Sequence, residues 1–184
     1  MQNGERTQGS VPKSEAIRRE DPAEPARNDG EAAFEIVELL FFAYRDFISD
    51  PDAILDEIGF GRAHHRVVHF VGSRPGMSVA DLLETLSITK QSLARVLKQL
   101  IDAGYVRQTT GPDDRRQRRL FLSEKGESLR QELLAPQLER IEKAFGGLDG
   151  NARSCVKAFL ARMCNDDPAA LCGALLSAHD GENP

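Results

Sequence analysis

Two sets of side chains in this sequence could carry chemistry. The first is His64-His65 with His69; His65 and His69 stand four residues apart and would share one helix face, as two zinc ligands do. A metal site needs a further ligand from a distant segment, and no HExxH-type glutamate accompanies the pair. The second set is a run of cations. Lys90, Arg95, Lys98, Arg107, Arg115, Arg116, Arg118 and Arg119 lie between Leu86 and Leu122 against only Asp102, Asp113 and Asp114, a net charge of +5. The whole chain carries −5, so everything outside that run sums to −10. A basic island on an acidic protein turns a polyanion toward one face and repels it elsewhere. Cys155, Cys164 and Cys172 form no CxxC pair, which removes support for a zinc knuckle or a thioredoxin-like site. Cys155 and Cys164 fall among apolar neighbours and are expected to pack, unlike the accessible low-pKa thiols of a redox sensor.

The meaning of the basic run depends on the elements that carry it. In TKQSLARVLKQLIDAG, Leu93, Val96, Leu97, Leu100 and Ile101 recur at i, i+3, i+4, i+7 and i+8, one face of a helix. Thr89 suits its N-cap, and Gly104 stands where a helix ends on a left-handed residue. At about 100° per residue, Gln91, Arg95 and Lys98 must project away from the apolar face. Before it, SVADLLETL opens with Ser78 and Asp81 in a capping-box arrangement and buries Val79, Leu82, Leu83 and Leu86. Two short helices joined by a turn at Ser87-Ile88, the second one basic, make a helix-turn-helix pattern. YVRQTT and QRRLFL then read as strands flanking the charged turn GPDDRR, a β-hairpin. A basic hairpin directly after a helix-turn-helix is a wing, with arginines positioned for phosphates or the minor groove. The sequence therefore predicts a mainly α fold with a small β-wing.

The rest of the chain must support this unit. With 184 residues, 40% hydrophobic and 29% charged, there is room for one soluble domain with appended helices and tails. No apolar run reaches the roughly 18 residues of a membrane span. The polar N-terminus lacks the apolar core of a secretory signal, so a cytoplasmic protein with reduced thiols is expected. Residues 1–30 read as a disordered tail. EAAFEIVELLFFAYRDFI is apolar over a wider surface than one core needs, which points to a partner subunit and a homodimer. SDPDAILDEIGFG reads as a connection completing segment 31–60. RAHHRVVHFVGS reads as a helix with Val67, Val68 and Val71 inward, opening the DNA-binding lobe of 61–122. Over 123–165, Ser123 caps a long helix that Pro136 should bend or break, and a last helix buries Val156, Phe159 and Leu160. Residues 166–184 read as a tail, with a short helix near 169–178.

This order of elements resembles the MarR family of bacterial winged-helix regulators over residues 31 to 165. PGMSVADLLETLSITKQSLARVLKQLIDAGYVRQ and DDRRQRRLFLSEKG carry the likeness. Asp114-Arg115-Arg116 matches the D-x-R wing, and Leu122-Ser123-Glu124-Lys125-Gly126 the lead into the following helix, with Ser123 in place of threonine. The resemblance implies a transcriptional regulator, a repressor and not an enzyme. It would act as a homodimer of N- and C-terminal dimerisation helices, placing two winged helix-turn-helix lobes on a near-palindromic double-stranded DNA site. It assigns Arg95 to the recognition helix, Gln91 and Ser92 to its base-reading start, and the cap residue Thr89 to the same DNA-binding set. Arg116 goes to the minor groove with Asp114 orienting it, and Lys90, Lys98, Arg115 and Arg118 go to phosphates. Strand alternation must turn either Arg118 or Arg119 inward. The resemblance also suggests a small aromatic or anionic effector near Phe41, Phe42, Tyr44, Arg62 and His65. No cofactor is implied. The alternatives are a winged helix used only for protein interaction, and a metal-responsive regulator using His65 and His69; the coincidence of the basic island with helix and wing favours DNA.

Overall fold

A computed structural model of the chain describes residues 29–110 and 117–165. In order, the elements are α1 (Asp29–Glu57), α2 (Arg62–Ser73), α3 (Val79–Leu86), α4 (Lys90–Asp102), β1 (Val106–Thr110), β2 (Arg118–Leu122), α5 (Glu124–Phe145) and α6 (Ala152–Met163). The fold is mainly α with one antiparallel two-stranded sheet, as the periodicities require. The described part of the first unit, ending at Leu40, is the start of α1, on which Phe34 and Leu39 are exposed. The second unit, from Phe41, holds the core.

That core forms around α2. Val67, Val68 and Val71 are fully buried with Leu55, Leu82, Leu93, Leu100 and Leu120. Leu93, Val96, Leu97 and Leu100 are the buried face of α4 that the spacing demanded. In the sheet, Val106 pairs with Leu122 and Thr110 with Arg118. Gly76 and Met77, between α2 and α3, add two backbone hydrogen bonds to Leu120 at 2.8 and 2.9 Å, so the base of the hairpin is tied to the helix-turn-helix.

Three features depart from the sequence-based expectation. The stretch around Pro51 is not a connection but the last turns of α1, which continues to Glu57. A proline inside a helix orphans the carbonyl four residues earlier. Here that carbonyl, on Phe47, accepts Nε2–H from the buried amide of Gln137 on α5 at 3.4 Å. The full burial of Pro51 and Leu55 outweighs the lost helical bond. Likewise, α5 runs unbroken past Pro136 from Glu124 to Phe145. Lastly, Val156, Phe159 and Leu160 on α6 are not buried: each remains at least 40% exposed. Their spacing is that of an apolar stripe, but no other described part of this chain covers it.

Candidate nucleic-acid interface

The polar face of α4 is the centre of the interface, and its caps fix where it begins. Thr89 Oγ1 accepts the Ser92 backbone N–H at 3.2 Å and donates to the Ser92 hydroxyl at 2.9 Å. Ahead of it, Ser78 and Asp81 form a reciprocal capping box at 3.1 and 2.9 Å. Accepting the Ser78 backbone N–H lowers the Asp81 pKa below the usual carboxylate range. The turn between α3 and α4 passes through Ser87 at φ 51°, a left-handed residue without glycine's freedom. Its N–H is held by the carbonyls of Leu83 and Glu84 at 3.0 and 3.2 Å. Beyond the turn, Thr89, Lys90, Gln91, Ser92, Arg95 and Lys98 are all exposed, opposite the buried leucines. Lys98 is paired with Asp102 one turn on.

Groups outside α4 hold it in place. On α2, buried His64 stacks on Phe60 with ring centroids 4.4 Å apart. Its Nδ1 accepts the Gly61 N–H at 3.1 Å, so Nε2 carries the proton and donates to Gln99 Oε1 on α4 at 3.0 Å. At the other end of α4, the first turn of α5 forms a clamp. Ser123 Oγ donates to the Gly104 carbonyl at 2.7 Å, and Lys125 Nζ donates to the Ala103 carbonyl at 3.0 Å. Lys125 also stands 4.1 Å from the Tyr105 ring centroid. Gly126 is required: a Cβ there would meet the Tyr105 carbonyl oxygen at 2.1 Å. The role of Lys125 left no signal in the sequence beyond its neighbours Ser123 and Gly126.

The hairpin resolves the arginine alternation. Arg118 is exposed and reaches Thr110 Oγ1 at 3.4 Å, whereas half-buried Arg119 turns inward and donates to the Gly76 carbonyl at 3.0 Å. Arg107, exposed on β1, donates to the Leu122 carbonyl at 3.5 Å. Asp114, Arg115 and Arg116 lie outside the described residues.

A cavity of about 450 Å³ lies between α1, α2 and α5, within the second unit. Tyr44 and His65 line it as the sequence reading proposed, but Phe41, Phe42 and Arg62 do not. Arg62 instead pairs with Asp52 at 2.8 Å. His69, Arg66 and Gln137 complete its polar edge. Burial lowers the pKa of both His65 and His69; Asp52 opposes the shift at His65, whereas His65, Arg130 and Arg74 lower that of His69 further. Among the described residues no three His, Cys, Asp or Glu side chains are grouped as metal ligands would be. Cys155 and Cys164 are exposed instead of packed. No described helix is long and apolar enough to cross a membrane.

Residues 58–117, which take in α2, α3, α4 and β1, match the model of the MarR family. Over 133 residues the chain is 45% identical to the HTH-type transcriptional regulator PetP of Rhodobacter capsulatus, covering 72% of this chain and 79% of that protein. The chain belongs to the MarR family. MarR-family proteins related to it are transcriptional regulators, not enzymes. A second relative, the transcriptional regulator HosA of Escherichia coli O111:H-, is 26% identical over 105 residues, 56% of this chain and 77% of its own. The fold matches that of Streptococcus pneumoniae FabT, solved in complex with DNA, with a TM-score of 0.63 at 17% identity over 70% or more of both chains (71% and 94%). This MarR-family chain is thus a winged helix-turn-helix regulator, its helix-turn-helix and wing occupying the elements the sequence assigned to them.

Proposed function

We propose that this protein represses transcription as a homodimer that binds a near-palindromic double-stranded DNA site. The observation that carries the proposal is the exposure of Lys90, Gln91, Ser92, Arg95 and Lys98 together on one capped helix, α4. In the bound complex α4 enters the major groove. Gln91, Ser92 and Arg95 meet base edges, and each good contact discriminates by about 1–3 kcal/mol. Thr89, Lys90 and Lys98 contact phosphates and fix the register. The wing reaches the flanking minor groove through Arg116, oriented by Asp114, with Arg115 and Arg118 on the backbone. Arg119 is excluded from this set because Gly76 holds it inward.

A homodimer is supported by the apolar side chains that the described residues of a single chain leave uncovered, among them Phe41 at 73% and Leu160 at 49% exposed. The apolar cavity with its polar edge supports control by a small effector. The test is fluorescence anisotropy with DNA flanking the protein's own gene, against a scrambled duplex, at two salt concentrations. Preferential, strongly salt-dependent binding that is lost in Arg95→Ala and Arg116→Ala is the expected result. Absence of binding to either duplex at low salt would sink the proposal in favour of a protein-interaction module.

A further inference from the structure

Two adjacent arginines stand on β2, and the proposed DNA contacts use only the first of them. Arg118 is exposed, whereas half-buried Arg119 spends its guanidinium inside the protein, with Nη1 donating to the Gly76 carbonyl at 3.0 Å. An arginine withdrawn from the basic surface acts through what it holds.

What Arg119 holds is the joint between the wing and the helix-turn-helix. A two-stranded hairpin is marginal by itself and takes its orientation from its anchors. Among the described residues, two backbone hydrogen bonds anchor this one. The Gly76 N–H donates to the Leu120 carbonyl at 2.8 Å, and the Leu120 N–H donates to the Met77 carbonyl at 2.9 Å. Both pass through buried Leu120, so they fix one point of β2 and leave its tilt about that point soft. The Arg119 side chain adds a restraint from the neighbouring residue to a different acceptor, and a restraint away from the pivot fixes the angle.

The other side of the joint is equally well defined. Gly76 has φ 84°, and a Cβ there would stand 3.2 Å from Phe121 Cζ, so the turn that presents its carbonyl suits glycine alone. The backbone of Arg119 pairs with Ser78, the N-cap of α3. Its charge also reaches Asp81 in that capping box: hydrogen bonds from Ser78 depress the Asp81 carboxyl most, and the charges of Arg119 and Arg74 depress it further. One side chain on the wing thus bears on both the loop before α3 and the cap that starts it.

We propose that Arg119 is the positioning residue of the wing: by holding the Gly76 carbonyl it sets the angle between hairpin and helix-turn-helix at which α4 and the wing engage neighbouring grooves of one duplex. This rests on reading α4 and the wing as the DNA-binding surfaces, and it adds the side chain that fixes their relative placement.

Dimethyl sulfate footprinting reads the two grooves separately, since it methylates guanine N7 in the major groove and adenine N3 in the minor groove. The full chain is used, on the operator duplex extended at both ends by A·T pairs, whose narrow minor groove draws in arginine. At saturating wild-type protein, half-site guanines and flanking adenines are both expected to be protected. Arg119→Met should keep the guanine protection, lose the adenine protection and weaken operator binding about tenfold, the order of one lost groove contact. Arg119→Lys, which keeps the charge and a donor, should restore most of the adenine protection. Arg119→Gln, polar but shorter, carries the expectation for Arg119→Met if that variant fails to fold. Arg118→Met should keep both protections and lower the salt slope by about 0.9. Adenines protected in Arg119→Met as in wild type would overturn the proposal, as would loss of both protections together. Wild-type protection of guanines without flanking adenines would also overturn it, leaving α4 as the reading element. Protection of neither base by the wild type would refute the DNA-binding reading on which it stands.

Discussion

Replacing Gly126 with alanine tests the clamp between α5 and the recognition helix. The added Cβ would lie 2.1 Å from the Tyr105 carbonyl oxygen and 3.0 Å from its carbon. Carbon and oxygen settle near 3.2 Å at closest, so the Tyr105 backbone must retreat by about 1 Å. Overpacking of this kind costs roughly 1–3 kcal/mol. The same retreat loosens the Ser123 N–H bond to Tyr105 and the Ser123 Oγ bond to Gly104, now 3.0 and 2.7 Å. Each contributes about 1 kcal/mol net, while alanine's better helix propensity returns about 1 kcal/mol. A net loss of about 3 kcal/mol corresponds to a melting temperature lower by roughly 6–12 °C in a chain of this size. Gly72→Ala is the control. Its Cβ would also meet an atom at 2.2 Å, but that atom is Cδ of the flexible Arg130 side chain, with Leu122 Cδ1 at 2.8 Å. Its loss should be well under half that of Gly126→Ala. Calorimetric melting of the two variants within 2 °C of each other (roughly 1 kcal/mol) would refute the reasoning that backbone and side-chain obstacles differ.

Three further outcomes follow from the same structure. Gln137→Leu leaves the Phe47 carbonyl beside Pro51 without its donor and should cost about 1–3 kcal/mol in urea unfolding. Burial lowers the pKa values of His65 and His69, so the unfolded chain binds more protons just below about pH 6.5. Stability is therefore full above that pH and falls as the pH drops through it; His69→Gln should flatten the pH dependence of the melting temperature. Lys98→Ala should weaken binding to all DNA sequences alike and reduce the salt slope by about 0.9, whereas Arg95→Ala should reduce the preference for operator over scrambled DNA.

The helix-turn-helix and the hairpin were legible because each depends on local signals. Ser78 and Thr89 cap where their spacing to Asp81 and Ser92 says they must, and Leu93 to Leu100 keep one helical face. What escaped the sequence depends on partners distant along the chain. Pro51 reads as a break until Gln137, on another helix, supplies the missing donor. Arg118 and Arg119 were indistinguishable until the Gly76 carbonyl claimed one of them. Arg66 carried no signal because the carbonyl it donates to, on Leu86 of α3, stands twenty residues on. The exposure of α6 was misread for a related reason: an apolar stripe reports that something covers it, not that the same chain does.

Helix α5 behaves mechanically as a beam. It is 22 residues long, hence about 33 Å from end to end. Ser123 and Lys125 fix one end to the carbonyls that terminate the recognition helix. Since Pro136 does not break it, a rotation at the Phe145 end is delivered nearly undiminished at the other. A tilt of about 5° becomes a displacement of about 3 Å, close to the rise of one base step along DNA. A slight adjustment near the C-terminal helices would thus move the reading helix by about one base step, carrying the core residues Leu129 and Leu133 of α5 along with it.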